Sequence, residues 1–147
     1  MQLTKHTDYA FRVLIYLASM PEDRLATVQE IAERYGVSRS HIMKIVNKLA
    51  TAGLIQASRG QHGGLKLGQP REAINLRSVI ELMEATLTPV NCDEPVCLIR
   101  RDCTLKNILF DAQRQFLEHV GRYTLADLTE PAVSITALLR KSRGRAA

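Results

Sequence analysis

Tryptophan is absent from the 147 residues, and the aromatic side chains amount to four tyrosines and three phenylalanines. So few ring faces argue against stacking on single-stranded nucleic acid as the main mode of binding. Long apolar runs are missing too. The longest, Ala10–Met20, contains Arg12 and falls far short of the roughly 20 apolar residues a membrane span requires. No stretch reads as a signal peptide, so the expected location is the cytoplasm. Cysteine is scarce and odd in number: three residues, all between Cys92 and Cys103. Crowded thiols in a reducing compartment favour a metal over a disulfide. No cofactor motif and no catalytic dyad stands out, so an enzyme is not expected.

What is present is an uneven charge. The chain carries a net +5, with +4 on residues 1–70, −3 on residues 71–139 and +4 on the last eight residues. Positive potential on the N-terminal half and the tail suits a partner that is a polyanion.

Periodicity and stop signals divide the chain. Thr7 to Ser19 predicts a first helix, broken by Pro21-Glu22-Asp23. Thr27-Val28-Gln29-Glu30 is a capping box that starts a second helix running to Tyr35. Gly36 turns the chain, and Ser38 caps a third helix reaching about Ala50. Leu54–Ser58 and Leu65–Leu67 read as a hairpin, and Leu76–Glu84 as a short amphipathic helix. Thr88–Asp102 shows little sign of regular structure. From Thr104 to Tyr123 a long helix carries the narrow apolar stripe Leu105, Ile108, Leu109, Ala112, Phe116 and Val120. A stripe that narrow predicts a helix–helix seam, here between two copies of the chain. The expected organisation is a DNA-binding domain over 1–86, a cysteine-bearing loop over 87–103, a dimerisation helix and following segment over 104–130, and a C-terminal extension over 131–147 with a disordered tail.

The run Val28–Val46 has the spacing of a helix-turn-helix. Ile31, Tyr35, Val37, Ile42 and Ile45 fall where two steeply crossing helices share a small core, and Gly36 sits at the turn. The third helix then offers Ser38, Arg39, Ser40, His41, Met43 and Lys44 to a major groove. The hairpin that follows has a basic, glycine-rich tip: Arg59, Gly60, Gly63 and Gly64. Helix, helix, strand, tip, strand is the order of a winged helix-turn-helix. The expected fold class is therefore mainly α with a small β-hairpin, plus a long C-terminal helix. The expected partner is double-stranded DNA, with the wing arginine reaching phosphate or a narrow minor groove.

Four residues separate Cys92 from Cys97, and five separate Cys97 from Cys103. These gaps exceed those of a zinc knuckle and differ from ferredoxin runs. Three thiolates on one loop can wrap a face of an iron–sulfur cluster and leave a fourth position to another group. A zinc-stabilised regulator and a cluster-bearing electron carrier are the competing readings.

Several features taken together resemble the NsrR family of nitric-oxide-sensing iron–sulfur repressors, relatives of the cluster-biogenesis regulator IscR. They are Thr4, Asp8, Tyr9 and Ala10, then Arg59-Gly60 with Gly63-Gly64, the spaced cysteines, and Tyr123-Thr124-Leu125-Ala126-Asp127-Leu128. The resemblance spans about residues 1–130. It implies a homodimer on a palindromic operator and a cluster held by Cys92, Cys97, Cys103 and the partner subunit's Asp8. Nitric oxide would be the signal that releases DNA. A four-iron (4Fe–4S) cluster is the expected form, and a two-iron (2Fe–2S) cluster is also permitted. IscR-like proteins place a histidine three residues after the last cysteine. Here that residue is Lys106, which favours the nitric-oxide type over an IscR-like cluster-status or redox regulator.

Overall fold

The computed structural model describes residues 2–129, so the expectation for residues 131–147 lies outside the described span. The elements run α1 Lys5–Ala18, α2 Val28–Tyr35, α3 Arg39–Thr51, β1 Ile55–Ser58, β2 Gly64–Leu67, α4 Leu76–Met83, α5 Thr104–Val120 and α6 Leu125–Thr129. A single 3₁₀ turn, Arg71–Ala73, precedes α4. The result is a mostly helical fold with one antiparallel hairpin, in the winged-helix order the sequence predicts.

Local chemistry sets the boundaries of the helix pair. The Thr27 hydroxyl accepts the Glu30 amide at 3.0 Å and starts α2. Gly36, at φ 62°, takes the left-handed conformation that ends it. Val37 N–H then closes onto the Ala32 carbonyl at 3.0 Å. At the next residue the Ser38 hydroxyl accepts the His41 amide at 3.4 Å and opens α3. Each signal agrees with its neighbours, so the turn has one conformation to adopt.

The core gathers around α1, which touches α2, α3, α4, α6 and β2. Ala10, Val13 and Leu14 are wholly buried there, facing Ile31, Ile42, Ile45 and Leu49 of the helix pair. Burial of each large aliphatic chain contributes about 1.5–3 kcal/mol, so this cluster fixes the crossing of α2 and α3. The hairpin pairs Ile55 with Leu67 and Ala57 with Leu65. Leu65 also exchanges two backbone bonds with Ala26, at 3.0 and 2.7 Å. The wing is thereby stitched to the segment just before α2.

Three expectations are corrected. α5 stops at Val120 rather than Tyr123. The cause is the turn at its end: Asn75 Nδ2 donates to the Gly121 carbonyl at 2.7 Å, and Arg122 and Tyr123 bond back to His119 and Val120. A sixth helix, α6, was not expected. Its residue Leu125 is wholly buried and donates its amide to the Ile74 carbonyl at 2.8 Å. Finally, the stripe of α5 is not all one surface. Within the single chain only Leu117, which the stripe omitted, is buried, while Leu105 and Ile108 remain 64% and 58% exposed.

Candidate nucleic-acid interface and cysteine loop

The third helix turns its apolar positions Ile42, Ile45, Val46 and Leu49 inward. That leaves Arg39, Ser40, His41, Lys44, Asn47 and Lys48 exposed on the opposite face. Met43 departs from the expectation of a solvent-facing residue. It lies one position from Ile42 and three from Val46, at the edge of the buried stripe, and is half-buried. Ser38 stands at the head of the same surface, but its hydroxyl is engaged in capping and lies 3.3 Å from that of Ser40. Among the described residues no ion pair occupies Arg39, Lys44, Lys48 or Arg59. Their charge is uncompensated by direct partners, as a phosphate-contacting surface requires.

The wing tip carries Arg59, Gly60, Gln61 and His62 to the solvent. Its glycines are needed for reasons inside the chain. A Cβ on Gly63 would lie 2.3 Å from the Ser58 carbonyl oxygen. One on Gly64 would lie 2.7 Å from Leu25 Cβ and 2.9 Å from the Ala26 carbonyl oxygen. Gly60 has open space around it but sits at φ 109°, where other residues are strained. The tip is therefore a tightly folded turn that presents Arg59 in a set place.

The cysteine loop forms turns without helix or strand, as the sequence predicts. Cys97 N–H donates to the Cys92 carbonyl at 3.0 Å, which puts these two residues on one turn. Cys103 caps α5, its sulfur accepting the Lys106 amide at 3.4 Å. A sulfur at the positive end of a helix suits a metal-bound thiolate. All three thiols are free and half-exposed. No group of three or more His, Cys, Asp or Glu side chains among the described residues is gathered to hold a single metal ion. Three free cysteine sulfurs on one loop are nonetheless the donor type that an iron–sulfur cluster takes, each iron with its own cysteine sulfur. Around them, Val96, Leu98 and Ile99 are exposed, Leu98 almost completely.

Asp8 lies in the first turn of α1, far in sequence from the loop. It is exposed, and both its oxygens accept from Arg12, from Nε and Nη2, each at 2.9 Å. Donation to the Asp8 carboxylate holds the Arg12 guanidinium above its usual pKa, against a smaller opposing effect of burial. The same guanidinium lies 5.8 Å from the ring centres of Tyr9 and Tyr35. Tyr35 donates its hydroxyl to the Arg12 carbonyl at 3.1 Å, and burial pushes its own pKa up to about 12. Asp8 is in this way connected to the last residue of α2, beside the Gly36 turn.

Sequence reasoning missed Glu84, which follows α4 and opens the cysteine loop. Its Oε1 accepts the Thr4 amide at 2.8 Å, the Thr4 hydroxyl at 3.0 Å, and the hydroxyl of the wholly buried Thr7. Partial burial pushes its carboxyl up, but the bonds from Thr7 and Thr4 outweigh that and hold it below the ordinary glutamate range. No local signal could have found this contact, which joins residues 77 and 80 positions apart. The Asp8–Arg12 pair did have one, the i,i+4 spacing of opposite charges.

The Rrf2 family, described as iron-dependent transcriptional regulator, matches residues 3–131. Solved structures of the same fold include CymR (YrzC), the global cysteine regulator of B. subtilis. It is 24% identical, with a TM-score of 0.73 over 88% of this chain and 97% of that one. CymR of Staphylococcus aureus is also 24% identical, with a TM-score of 0.72 over 86% and 97%. IscR of T. potens is 22% identical, with a TM-score of 0.72 over 90% and 88%.

Proposed function

The chain belongs to the Rrf2 family of iron-dependent transcriptional regulators, and from that premise we propose that it is a homodimeric, nitric-oxide-responsive repressor of a palindromic operator. The observation that carries this reading is the union of two surfaces on one chain. One is an exposed recognition helix with uncompensated cations. The other is a loop with three free thiols whose last cysteine heads α5. The family consists of transcription regulators rather than enzymes, and no helix among the described residues is long and apolar enough to cross a membrane.

In this reading Arg39, Ser40, His41 and Lys44 meet base edges and backbone in the major groove, with Ser38 and Met43 at the margin of the contact. Arg59, presented by Gly60, Gly63 and Gly64, reaches phosphate or the minor groove. Cys92, Cys97 and Cys103 would hold an iron–sulfur cluster, completed by the partner subunit's Asp8. That cluster, when bound, supplies iron that nitric oxide can attack. The chain's own part is transmission. Arg12 grips Asp8 with two N–H groups and rests on Tyr35, so a change at Asp8 is felt at the end of α2, at the Gly36 turn and at the Ser38 cap of α3. Shifting a two-state switch from 1:99 to 99:1 requires about 5.5 kcal/mol of differential binding. A tie made or broken in each of two subunits is of the right order.

A cluster-status regulator of the IscR kind would use the same loop. Lys106 in place of a histidine, and Asp8 exposed at the head of α1, support the nitric-oxide reading. The test is anaerobic purification with iron and sulfide analysis, then operator titration with and without nitric oxide. The expected protein is coloured and loses the operator on exposure to the gas. Its Asp8→Ala variant stays coloured but binds the operator weakly from the start. Colourless, zinc-loaded protein would overturn the cluster. A coloured protein whose affinity follows iron supply and ignores nitric oxide would be an IscR-like regulator instead.

A further inference from the structure

The exposed face of α3 has a centre line and two flanks, and different residue types fall on each. At about 100° of turn per residue, the direction opposite the buried Ile42, Ile45, Val46 and Leu49 is shared by four side chains. These are Ser40, Lys44, Asn47 and Thr51, each within about 30° of it. Arg39 lies on one flank and His41 and Lys48 on the other, roughly 70–110° from that direction. A helix seated in a major groove turns its centre line to the base edges and its flanks to the two phosphate backbones. The long cations Arg39 and Lys48 stand at the sides, where phosphates would be. Sequence is read along the centre.

Three of the four central side chains are committed or unselective. The Ser40 hydroxyl lies 3.3 Å from that of Ser38. Thr51 Oγ1 donates to the Asn47 backbone carbonyl at 2.9 Å. Lys44 carries donors only, so guanine, thymine and phosphate oxygens all suit it. Asn47 differs from these. Its side-chain amide is exposed and, among the described residues, has no hydrogen-bond partner. That amide holds an N–H donor group beside a C=O acceptor in one plane. In the major groove adenine sets an acceptor, N7, beside a donor, N6. Guanine shows two acceptors there, and cytosine and thymine show one polar group each. We propose that Asn47 is a specificity-determining residue of the operator contact, donating to N7 and accepting from N6 of one adenine in each half-site. Any other base leaves one of the two amide groups unpaired in the groove, and that is the source of the discrimination.

The assignment rests on operator binding and is independent of the nitric-oxide signal. The test begins with the full chain, purified without oxygen, selecting from a pool of random-sequence duplexes. Its selected half-site should hold an A·T pair at a position where full-length Asn47→Ala has no preference, while the other positions keep theirs. Asn47 is exposed and alanine is the better helix former, so the variant keeps its fold. The second step places 7-deazaadenine, which has C–H in place of N7, at that adenine in one half-site. The parent should lose about tenfold in affinity, and Asn47→Ala should bind both duplexes equally. No charge is removed, so the slope of log K against log salt should stay that of the parent. An A·T preference kept by Asn47→Ala, or one lost at a G·C pair instead, would overturn the assignment. Equal sensitivity of parent and variant to 7-deazaadenine would do so too, as would a flattened salt slope, which would move Asn47 to the backbone. A parent chain that selects no sequence at all would overturn the operator reading itself, so the two failures are distinct.

Discussion

Removing the carboxylate of Glu84 should loosen the head of α1 by about 2–3 kcal/mol, from the following physical account. α1 has no side-chain cap of its own, because Thr4 makes no such bond within the helix. Its first residues rely instead on Oε1 of Glu84, which takes three donors. In Glu84→Ala the two Thr4 donors turn to water at small cost, since they are exposed. The Thr7 hydroxyl cannot, because Thr7 is wholly buried. An unpaired buried hydroxyl costs about 1–3 kcal/mol, and loss of bonds to a charged acceptor adds to that. Back-bonding of Thr7 to a carbonyl four residues earlier would recover part of it. For a chain of this size the loss corresponds to a Tm lower by roughly 4–12 °C. Denaturant melts at one fixed protein concentration measure it, since a dimer's stability depends on concentration. The carboxyl of Glu84 has a depressed pKa, so its contribution is complete above the unfolded value and is lost as pH falls through the folded one. The gap between the parent and Glu84→Gln should accordingly narrow only on the acid side. A Glu84→Ala variant within about 0.5 kcal/mol of the parent would refute this account. So would strict additivity with Thr7→Val in a double-mutant cycle, where contacting residues couple by about 0.5–3 kcal/mol.

Two further outcomes follow from other parts of the structure. Ile108→Asp, at a position 58% exposed in the single chain, should leave the protomer folded while shifting sedimentation from dimer to monomer. A dimer that survives this change would move the assembly surface off α5. Gly63→Ala puts a methyl group 2.3 Å from the Ser58 carbonyl, so the wing must refold locally. Operator affinity should fall roughly tenfold, about 1.4 kcal/mol, with thermal stability nearly kept, and unchanged binding would show that the tip is not read.

The helix pair was legible in the sequence because its signals are local and mutually consistent: Thr27 with Glu30, Gly36, Ser38, and apolar residues at helical spacing. The hairpin was legible for the same reason. α6 was not, since five residues are too few for periodicity to register. A weaker signal was present nonetheless. Thr124 and Asp127 form a capping pair, with the Asp127 carboxylate accepting the Thr124 amide at 2.6 Å. The apolar stripe of α5 gave the right residue types but could not say which would be covered within one chain. Leu117 turned inward and Ile108 did not, a division set by where α4 lies. At the candidate site, residue types and spacing marked the three cysteines and the basic face. Glu84 and the Arg12–Tyr35 contact come from packing between distant segments, and no window of sequence contains them.

The two backbone bonds between Ala26 and Leu65 bear on operator architecture. Because they fasten the wing to the approach of α2, and α2 is locked to α3 through Gly36, each protomer carries its wing and recognition helix as one rigid stencil. The distance between a half-site's groove contact and its wing contact is then a constant of the protein. Operators that this transcription regulator tolerates should differ in the spacer between half-sites, which moves whole protomers, long before they differ in the layout within a half-site.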